Sequence, residues 1–180
     1  MNNKMRYWMK EWIEPIIIAV ILALIIRTFV VQAFKIPTGS MRPTLIEGDR
    51  ILVSKFIYKF REPKRGEVIV FISPEDKKKD FIKRLVGLPN ENIQLSNGAI
   101  LVNNAPVEEC PLLKKQYYYN RGDFGAERQI VTIPNDAYYV LGDNSLSSRD
   151  SRYWGFMPKK FLLGKAFLIY WPPNRIGIVK

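Results

Sequence analysis

The chain has 180 residues, 47% hydrophobic and 25% charged, which is enough for one domain with its own core. It carries 28 Lys and Arg against 17 Asp and Glu, and this net charge of +11 suits nucleic acid, an anionic membrane surface or simply a solvated basic face. The sequence has no histidine and a single cysteine, Cys110. These counts exclude a histidine-based catalytic triad, a histidine metal site, an intrachain disulfide and a cysteine-rich zinc site.

The first predicted element is a helix that spans a membrane. Residues 16–26 form an uninterrupted apolar run, and the wider range 12–33 has the ~20 residues that cross a bilayer. Basic side chains in residues 1–11 predict a cytoplasmic N-terminus and a single-pass protein of the cell membrane, with the rest of the chain outside the cytoplasm. The alternative is a cleavable signal peptide, because residues 31–33 (VQA) have small side chains at the two positions that a signal peptidase reads.

Residues 34–180 are predicted to form an extracytoplasmic all-β domain, a sandwich or a barrel, because short β-rich runs alternate with turn signals. The run 93–102 is typical of a hairpin with Asn97-Gly98 in its turn. Residues 108–128 are polar and aromatic with weak periodicity, which predicts a long loop or an insertion. The predicted strands are Arg50–Phe56, Glu67–Ile72, Phe81–Val86, Asn92–Leu95, Ile100–Val102, Gln129–Ile133, Tyr138–Leu141, Ala166–Tyr170 and Ile176–Val179.

A first chemical signal is Ser40, which follows Gly39 and lies between Pro37 and Pro43. The prolines stiffen the segment, and Gly39 leaves space for another backbone to approach. Both features suit a nucleophile at a cleft. A serine in a turn of this composition is more commonly only a turn residue, so Ser40 is a candidate that needs a base.

The candidate base is Lys83, because a hydrolase without histidine has to use Lys, Asp, Glu or a terminal amine. The period of two places Phe81, Lys83 and Leu85 on one face of a strand, with the lysine between two apolar residues. A free lysine needs its pKa lowered by about 3 units, or about 4 kcal/mol, to act as a base near neutral pH, and burial can supply this. The alternatives are a lysine that reaches solvent and an ion pair with Asp80.

A third signal is the polar loop of residues 141–155 (LGDNSLSSRDSRYWG). Gly, Asp, Asn and Ser dominate it, which predicts a structured loop. Its charged side chains can brace it through ion pairs, and this structural role is the default interpretation. The residues available for such pairs are Asp143, Arg149, Asp150 and Arg152.

Four segments of the chain, in order, resemble the four boxes of type I signal peptidases, and the short length with one anchor resembles the Gram-positive bacterial branch. The segments are SMRPTL at 40–45, GDRILV at 48–53, KRLVGLP at 83–89 and GDN…DSR…G at 142–155. The chain departs from the family pattern at two places. Ser145 stands where the family often has Arg, and Asn90-Glu91 stands where it often has Gly-Asp.

The resemblance implies a signal-peptidase-like β domain and a membrane-bound serine endopeptidase that needs no metal and no cofactor. Ser40 would be the nucleophile and Lys83 its general base. The Thr38 hydroxyl and the Ser40 amide would form the oxyanion hole, and Ser148 would orient the lysine. The other implied site residues are Asp143, Asp150 and Arg152, which would form bracing salt bridges, and Ile36, Met41 and Ile82, which would line the substrate pockets.

The same resemblance implies the partners: secretory precursors with small residues at positions −1 and −3 of the signal peptide, and membrane lipids, but no nucleic acid. Two other classes stay open. A self-cleaving Ser/Lys regulator should carry a cytosolic DNA-binding domain, and a non-enzymatic membrane-anchored β domain would tolerate loss of both residues. One tension remains, because the period of two puts Ile82 on the strand face opposite Lys83 while the family has both near the substrate.

Overall fold

The computed structural model describes residues 8–25, 31–108 and 110–180. The helices are α1 (Glu14–Ile25), α2 (Pro111–Lys115) and α3 (Ser151–Trp154). The strands are β1 (Val31–Lys35), β2 (Arg50–Ser54), β3 (Val68–Ile72), β4 (Asp80–Gly87), β5 (Asn92–Ser96), β6 (Ala99–Val102), β7 (Ala105–Pro106), β8 (Ile130–Thr132), β9 (Ala137–Leu141), β10 (Met157–Pro158), β11 (Leu162–Trp171) and β12 (Gly177–Ile178). Residues 34–180 are therefore mostly β, as predicted.

The N-terminal part consists of a π-helical turn, Met9–Ile13, followed by the 12-residue helix α1. No helix in the described part of the chain is both long and apolar enough to cross a membrane. Of the predicted cytoplasmic segment and anchor, residues 1–7 and 26–30 lie outside the described residues. Residues 31–33, the end of the predicted anchor range, belong to β1, because they pair with β2 in the sheet.

The larger sheet has eight strands in the order β1-β2-β11-β3-β4-β9-β10, with β12 paired to β11, and its strands are antiparallel. Strand β3 is a continuous apolar run, which is typical of a strand covered on both faces. Its side chains alternate between two core clusters. Val68 and Val70 pack in one cluster with Met41, and Ile69 and Phe71 pack in the other. The middle of this sheet is therefore packed on both faces, and β4 lies next to β3.

The smaller sheet has the order β7-β6-β5-β8. The predicted hairpin is confirmed: β5 pairs with β6, and Asn97 (φ 50°) and Gly98 (φ 77°) form a turn with positive φ at both positions. The segment 108–128, predicted to be a loop or insertion, contains the short helix α2. Leu113 of α2 and Tyr118 are buried in the same core cluster as β5 and β6, so this segment is part of the packed domain.

Some strand boundaries differ from the prediction. Strand β2 ends at Ser54 rather than at Phe56, and β11 begins at Leu162, four residues earlier than predicted. Gly164 explains the missed start of β11, because glycine normally weakens a strand pattern. Here a Cβ atom at Gly164 would come within 2.3 Å of the Ser54 carbonyl oxygen, so the close approach of β2 requires glycine.

Candidate active site

Ser40 lies in a short 3₁₀ turn, Gly39–Met41, that follows β1. The side chain of Met41 is fully buried and fixes the turn in the core, while Ser40 is 7% exposed. Asn144 holds the turn from the other side. Its backbone N–H donates to the Ser40 carbonyl (3.0 Å), and its side-chain amide donates to the Gly39 carbonyl (3.1 Å). Sequence reasoning did not single out Asn144, because much of its contribution is made by backbone atoms.

Lys83 extends from β4 to the same turn and is only 5% exposed. Its Nζ donates to the Ser40 Oγ at 2.9 Å and to the Ile82 carbonyl at 3.1 Å. The Phe81 ring centroid lies 5.5 Å from Nζ. The face of an aromatic ring favours the ammonium form, whereas removal from water favours the neutral amine.

Burial lowers the pKa of Lys83 from its ordinary value of 10.5 to about 8. The carboxylates of Asp150 and Asp143 act in the opposite direction, since negative charge favours the ammonium form, and the Arg152 guanidinium reinforces the lowering. Desolvation therefore outweighs the two carboxylates. A substantial fraction of Lys83 is neutral at mildly alkaline pH, when it can accept a proton.

Thr38 and Ser148 flank the Ser–Lys contact. The Thr38 hydroxyl donates to the Ser40 Oγ at 3.5 Å. The Ser148 hydroxyl is buried and has no hydrogen-bond partner in the described part of the chain, so the bond to Lys83 that the resemblance implies is not formed in this structure. A Cβ at Gly142 would come within 2.1 Å of this hydroxyl and 2.5 Å of the Ser40 carbonyl. Only glycine therefore allows the backbone at position 142 to lie this close to Ser148 and Ser40.

Asp143 pairs with Arg84, a partner that sequence reasoning missed. Two parallel bonds join them, from Nε to Oδ1 (2.7 Å) and from Nη2 to Oδ2 (2.6 Å), and both side chains are almost completely buried. Thr44 also donates to Asp143, at 2.5 Å. Because Arg84 follows Lys83 on β4, this pair fixes the polar loop directly to the strand that carries the lysine.

Asp150 and Arg152 form a second buried pair, with bonds from Nε to Oδ1 (2.8 Å) and from Nη2 to Oδ2 (2.9 Å). The Asp150 side chain also caps α3 and accepts the Gly142 N–H at 3.0 Å. Arg149, a predicted candidate for the same bracing, instead pairs with Glu75 at the surface. The loop 141–155 is therefore braced by two buried ion pairs. One lies within the loop, and the other joins the loop to β4.

A groove of about 430 Å³ opens beside Ser40. Ile82 and Lys83 both line it, although the period of two places them on opposite faces of β4. A smaller cavity of about 40 Å³ adjoins it and is lined by Ile36 and Ile82. Met41 instead packs with Ile36 in the buried core. The other groove-lining residues are Pro37, Thr38, Lys79, Asp80, Phe81, Ser147 and Arg149.

Comparison with known proteins identifies the family of the chain. The family described as "Signal peptidase, peptidase S26" matches residues 9–171. The chain belongs to this family. It is 42% identical to the probable signal peptidase I-2 of Synechocystis sp., over 93% of this chain and 77% of the relative. It is 41% identical to signal peptidase I of Leptolyngbya laminosa, over 93% and 82% of the two chains.

A third relative is signal peptidase I P of Bacillus subtilis subsp. natto, 36% identical over 94% of this chain and 93% of its own. The similarity extends over almost the full length of both proteins. Family membership makes the chain a serine peptidase of the type I signal peptidase class. Among the described residues, no group of His, Cys, Asp or Glu side chains is placed to hold a metal ion.

Proposed function

We propose that the chain is a membrane-anchored serine endopeptidase that removes N-terminal signal peptides from exported precursors, with Ser40 as nucleophile and Lys83 as general base. One observation carries the proposal: the Lys83 amine lies 2.9 Å from the Ser40 hydroxyl oxygen in a site where both are buried. This distance is within the range for direct proton transfer. Removal of signal peptides is the activity named in the relatives.

The reaction begins with neutral Lys83. A neutral amine has two N–H groups and one lone pair, so Lys83 can donate to the Ile82 carbonyl and direct its lone pair at the Ser40 O–H. As Ser40 attacks the scissile carbonyl carbon, its proton passes to Lys83 and a tetrahedral oxyanion forms. The Thr38 hydroxyl and the Ser40 amide stabilise that charge, and one such donor is worth about 2.7–4 kcal/mol in a comparable site.

The proton that Lys83 took from Ser40 is used when the peptide bond breaks. The Lys83 ammonium protonates the leaving amine as the peptide bond breaks, which leaves an acyl group on Ser40 and a neutral lysine. Lys83 then takes a proton from a water molecule that attacks the acyl-enzyme, and returns it to Ser40 when the acid product leaves. Protons balance over the cycle.

The substrate is proposed to bind as an added strand along β4. Residues 80–83 of β4 pair with β3 at one edge, whereas the pairing of β4 with β9 begins at Arg84. An extended peptide in the groove can therefore use backbone hydrogen bonds at the edge that faces Ser40. The side cavity is small, about 40 Å³, so it suits a small side chain such as alanine.

The membrane anchor is proposed from the N-terminal segment. The described large apolar side chains of α1 are between 52% and 59% exposed, and Trp8 and Trp12 precede them with stacked rings 6.2 Å apart. Apolar side chains without a protein partner suit lipid, and tryptophan suits the headgroup boundary. The net charge of +11 favours anionic lipid. We place the N-terminus in the cytoplasm and the β domain outside it, where precursors held by their own signal peptides are concentrated.

The test uses the full-length chain in detergent micelles and a purified precursor with alanine at positions −1 and −3. The wild-type chain should release a mature protein that begins directly after the −1 residue, as read by mass spectrometry. Ser40→Ala should release none while keeping the melting temperature of the wild type within a few degrees. Ser96→Ala on β5, a matched control away from the site, should cleave at the wild-type rate. Normal cleavage by Ser40→Ala would exclude the proposed mechanism.

A further inference from the structure

Ser145 is 3% exposed and starts the 3₁₀ turn Ser145–Ser147 of the polar loop. Its hydroxyl oxygen accepts two hydrogen bonds, from the backbone N–H of Tyr119 (2.9 Å) and from Nη1 of Arg152 (2.7 Å). Its carbonyl accepts a third bond, from Nη2 of Arg152, at 2.9 Å. A small polar side chain therefore joins two segments that are 26 residues apart in sequence.

The partner of Ser145 is the 117–125 segment, which packs against α3. The Tyr119 carbonyl accepts from Nη1 of Arg152 at 2.8 Å, and the Phe124 N–H donates to the Arg152 carbonyl at 2.9 Å. A Cβ at Gly122 would come within 2.2 Å of that carbonyl, so the two backbones are in direct contact. Tyr118 is fully buried in the core of the smaller sheet. The 117–125 segment is thus anchored at one end and bonded to the polar loop at the other.

Asn144, next to Ser145 in the chain, holds the backbone of the turn that carries Ser40. Asn144 donates to the Ser40 carbonyl and the Gly39 carbonyl. Three residues later, the Ser148 side chain lies against Gly142 next to the same Ser40 carbonyl. A shift of Ser145 therefore changes the packing around the nucleophile without any contact between Ser145 and the groove.

We propose that Ser145 is a positioning residue, which couples the 117–125 segment to the turn that carries Ser40. The proposal rests on the proposed function. Removing the hydroxyl leaves the partly buried Tyr119 N–H and one buried Arg152 N–H without their acceptor, and the loop has to move to satisfy them. Because proton transfer depends on the short Ser40–Lys83 distance, a displacement of about 1 Å lowers the rate by about 100-fold.

The experiment measures kcat and KM for precursor cleavage by full-length Ser145→Ala, Ser145→Cys and Ser145→Thr. Ala and Cys should lower kcat by about 10- to 100-fold and leave KM within about twofold, because the groove is not altered. Cys fills a similar volume with only a weak acceptor, so it keeps the packing and removes mainly the hydrogen bonds. Thr restores a hydroxyl and should recover kcat to within about threefold of the wild type.

Val131→Ala in β8 is the control for stability alone, since it opens a cavity in the smaller sheet away from the polar loop. It should lower the melting temperature and leave kcat unchanged. Three outcomes would overturn the positioning role. They are a wild-type kcat in Ser145→Cys, a loss of kcat in the Ser145 variants no greater than in Val131→Ala, and no recovery of kcat in a folded Ser145→Thr. If Ser40→Ala is inactive in the same assay, the proposed function survives that outcome; if Ser40→Ala cleaves normally, both proposals fall.

Discussion

The Nζ atom of Lys83 lies 2.9 Å from the Oγ atom of Ser40, although the two residues are 43 positions apart in sequence. Sheet register brings them together. Lys83 lies opposite Ile69 in the pairing of β4 with β3, in the middle of the larger sheet, and the Ser40 turn is held over the sheet by the buried Met41. A rigid site is necessary because a buried lysine that could move into water would regain its ordinary pKa.

Lys83→Met should abolish precursor cleavage, with a loss of at least about 10²- to 10⁴-fold, because methionine cannot accept the Ser40 proton. Lys83→Arg should be equally inactive, since an arginine remains charged at any accessible pH. Steady-state cleavage of the precursor used for Ser40→Ala provides the measurement. Activity within tenfold of the wild type in either variant would contradict the role of Lys83 as base.

Lys83→Met should also be more stable than the wild type below pH 8. The pKa of Lys83 is about 8 when folded and 10.5 as the ordinary value, so the unfolded chain binds more protons between these two pH values. Stability then rises with pH across that window, and the unfavourable contribution, about 3 kcal/mol, is fully present below it. Denaturant titrations should show a stability difference between variant and wild type that is largest at pH 7 and shrinks towards pH 10.5. A difference that does not change with pH would refute this.

Asp143→Asn should destabilise the fold by about 3–5 kcal/mol, because it leaves the Arg84 guanidinium buried without its counter-charge. Precursor cleavage should fall with it, since Asn144 next to the substitution holds the Ser40 turn. The control is Glu75→Gln, which breaks the solvent-exposed pair with Arg149 and should leave the melting temperature nearly unchanged. Equal effects of the two substitutions on the melting temperature would show that the buried pair contributes no more to stability than the exposed pair.

Ile82→Ala should widen the side cavity that Ile82 and Ile36 line together. Precursors with valine in place of alanine at position −1 or −3 should then be cleaved about 10- to 200-fold better relative to the alanine precursor than they are by the wild type, the range that one to a few methylene groups allow. Competition between the two precursors in one reaction gives the ratio of kcat/KM directly. An unchanged ratio at both positions would place the specificity pocket elsewhere.

Much of the fold could be predicted because strand periods and turn residues are local signals. The Asn97-Gly98 hairpin is one example. The start of β11 was missed because Gly164 is required by the close approach of β2, which is a tertiary effect. Likewise, 108–128 has no strong period, because it is held by tertiary contacts with the smaller sheet and with the loop 141–155.

The site was predictable in its residue types but not in its pairings. Ser40 and Lys83 each gave weak signals alone, and their resemblance to known boxes singled them out. The Arg84–Asp143 pair depends on the register that sets Arg84 opposite Leu141, two residues before Asp143, and no local pattern encodes that register. Asn144 was missed for a similar reason, since its backbone and amide contacts to the Ser40 turn are set by the fold of the loop.

The pH dependence of kcat/KM for precursor cleavage tests the central claim, that buried and neutral Lys83 is the base for Ser40. Because the pKa of Lys83 is lowered to about 8, log kcat/KM should rise with a slope of one below that pH and level off above it. Ser96→Ala should give the same curve. A midpoint near 10.5, the ordinary lysine value, or a profile that is flat from pH 6 to pH 9, would contradict the account.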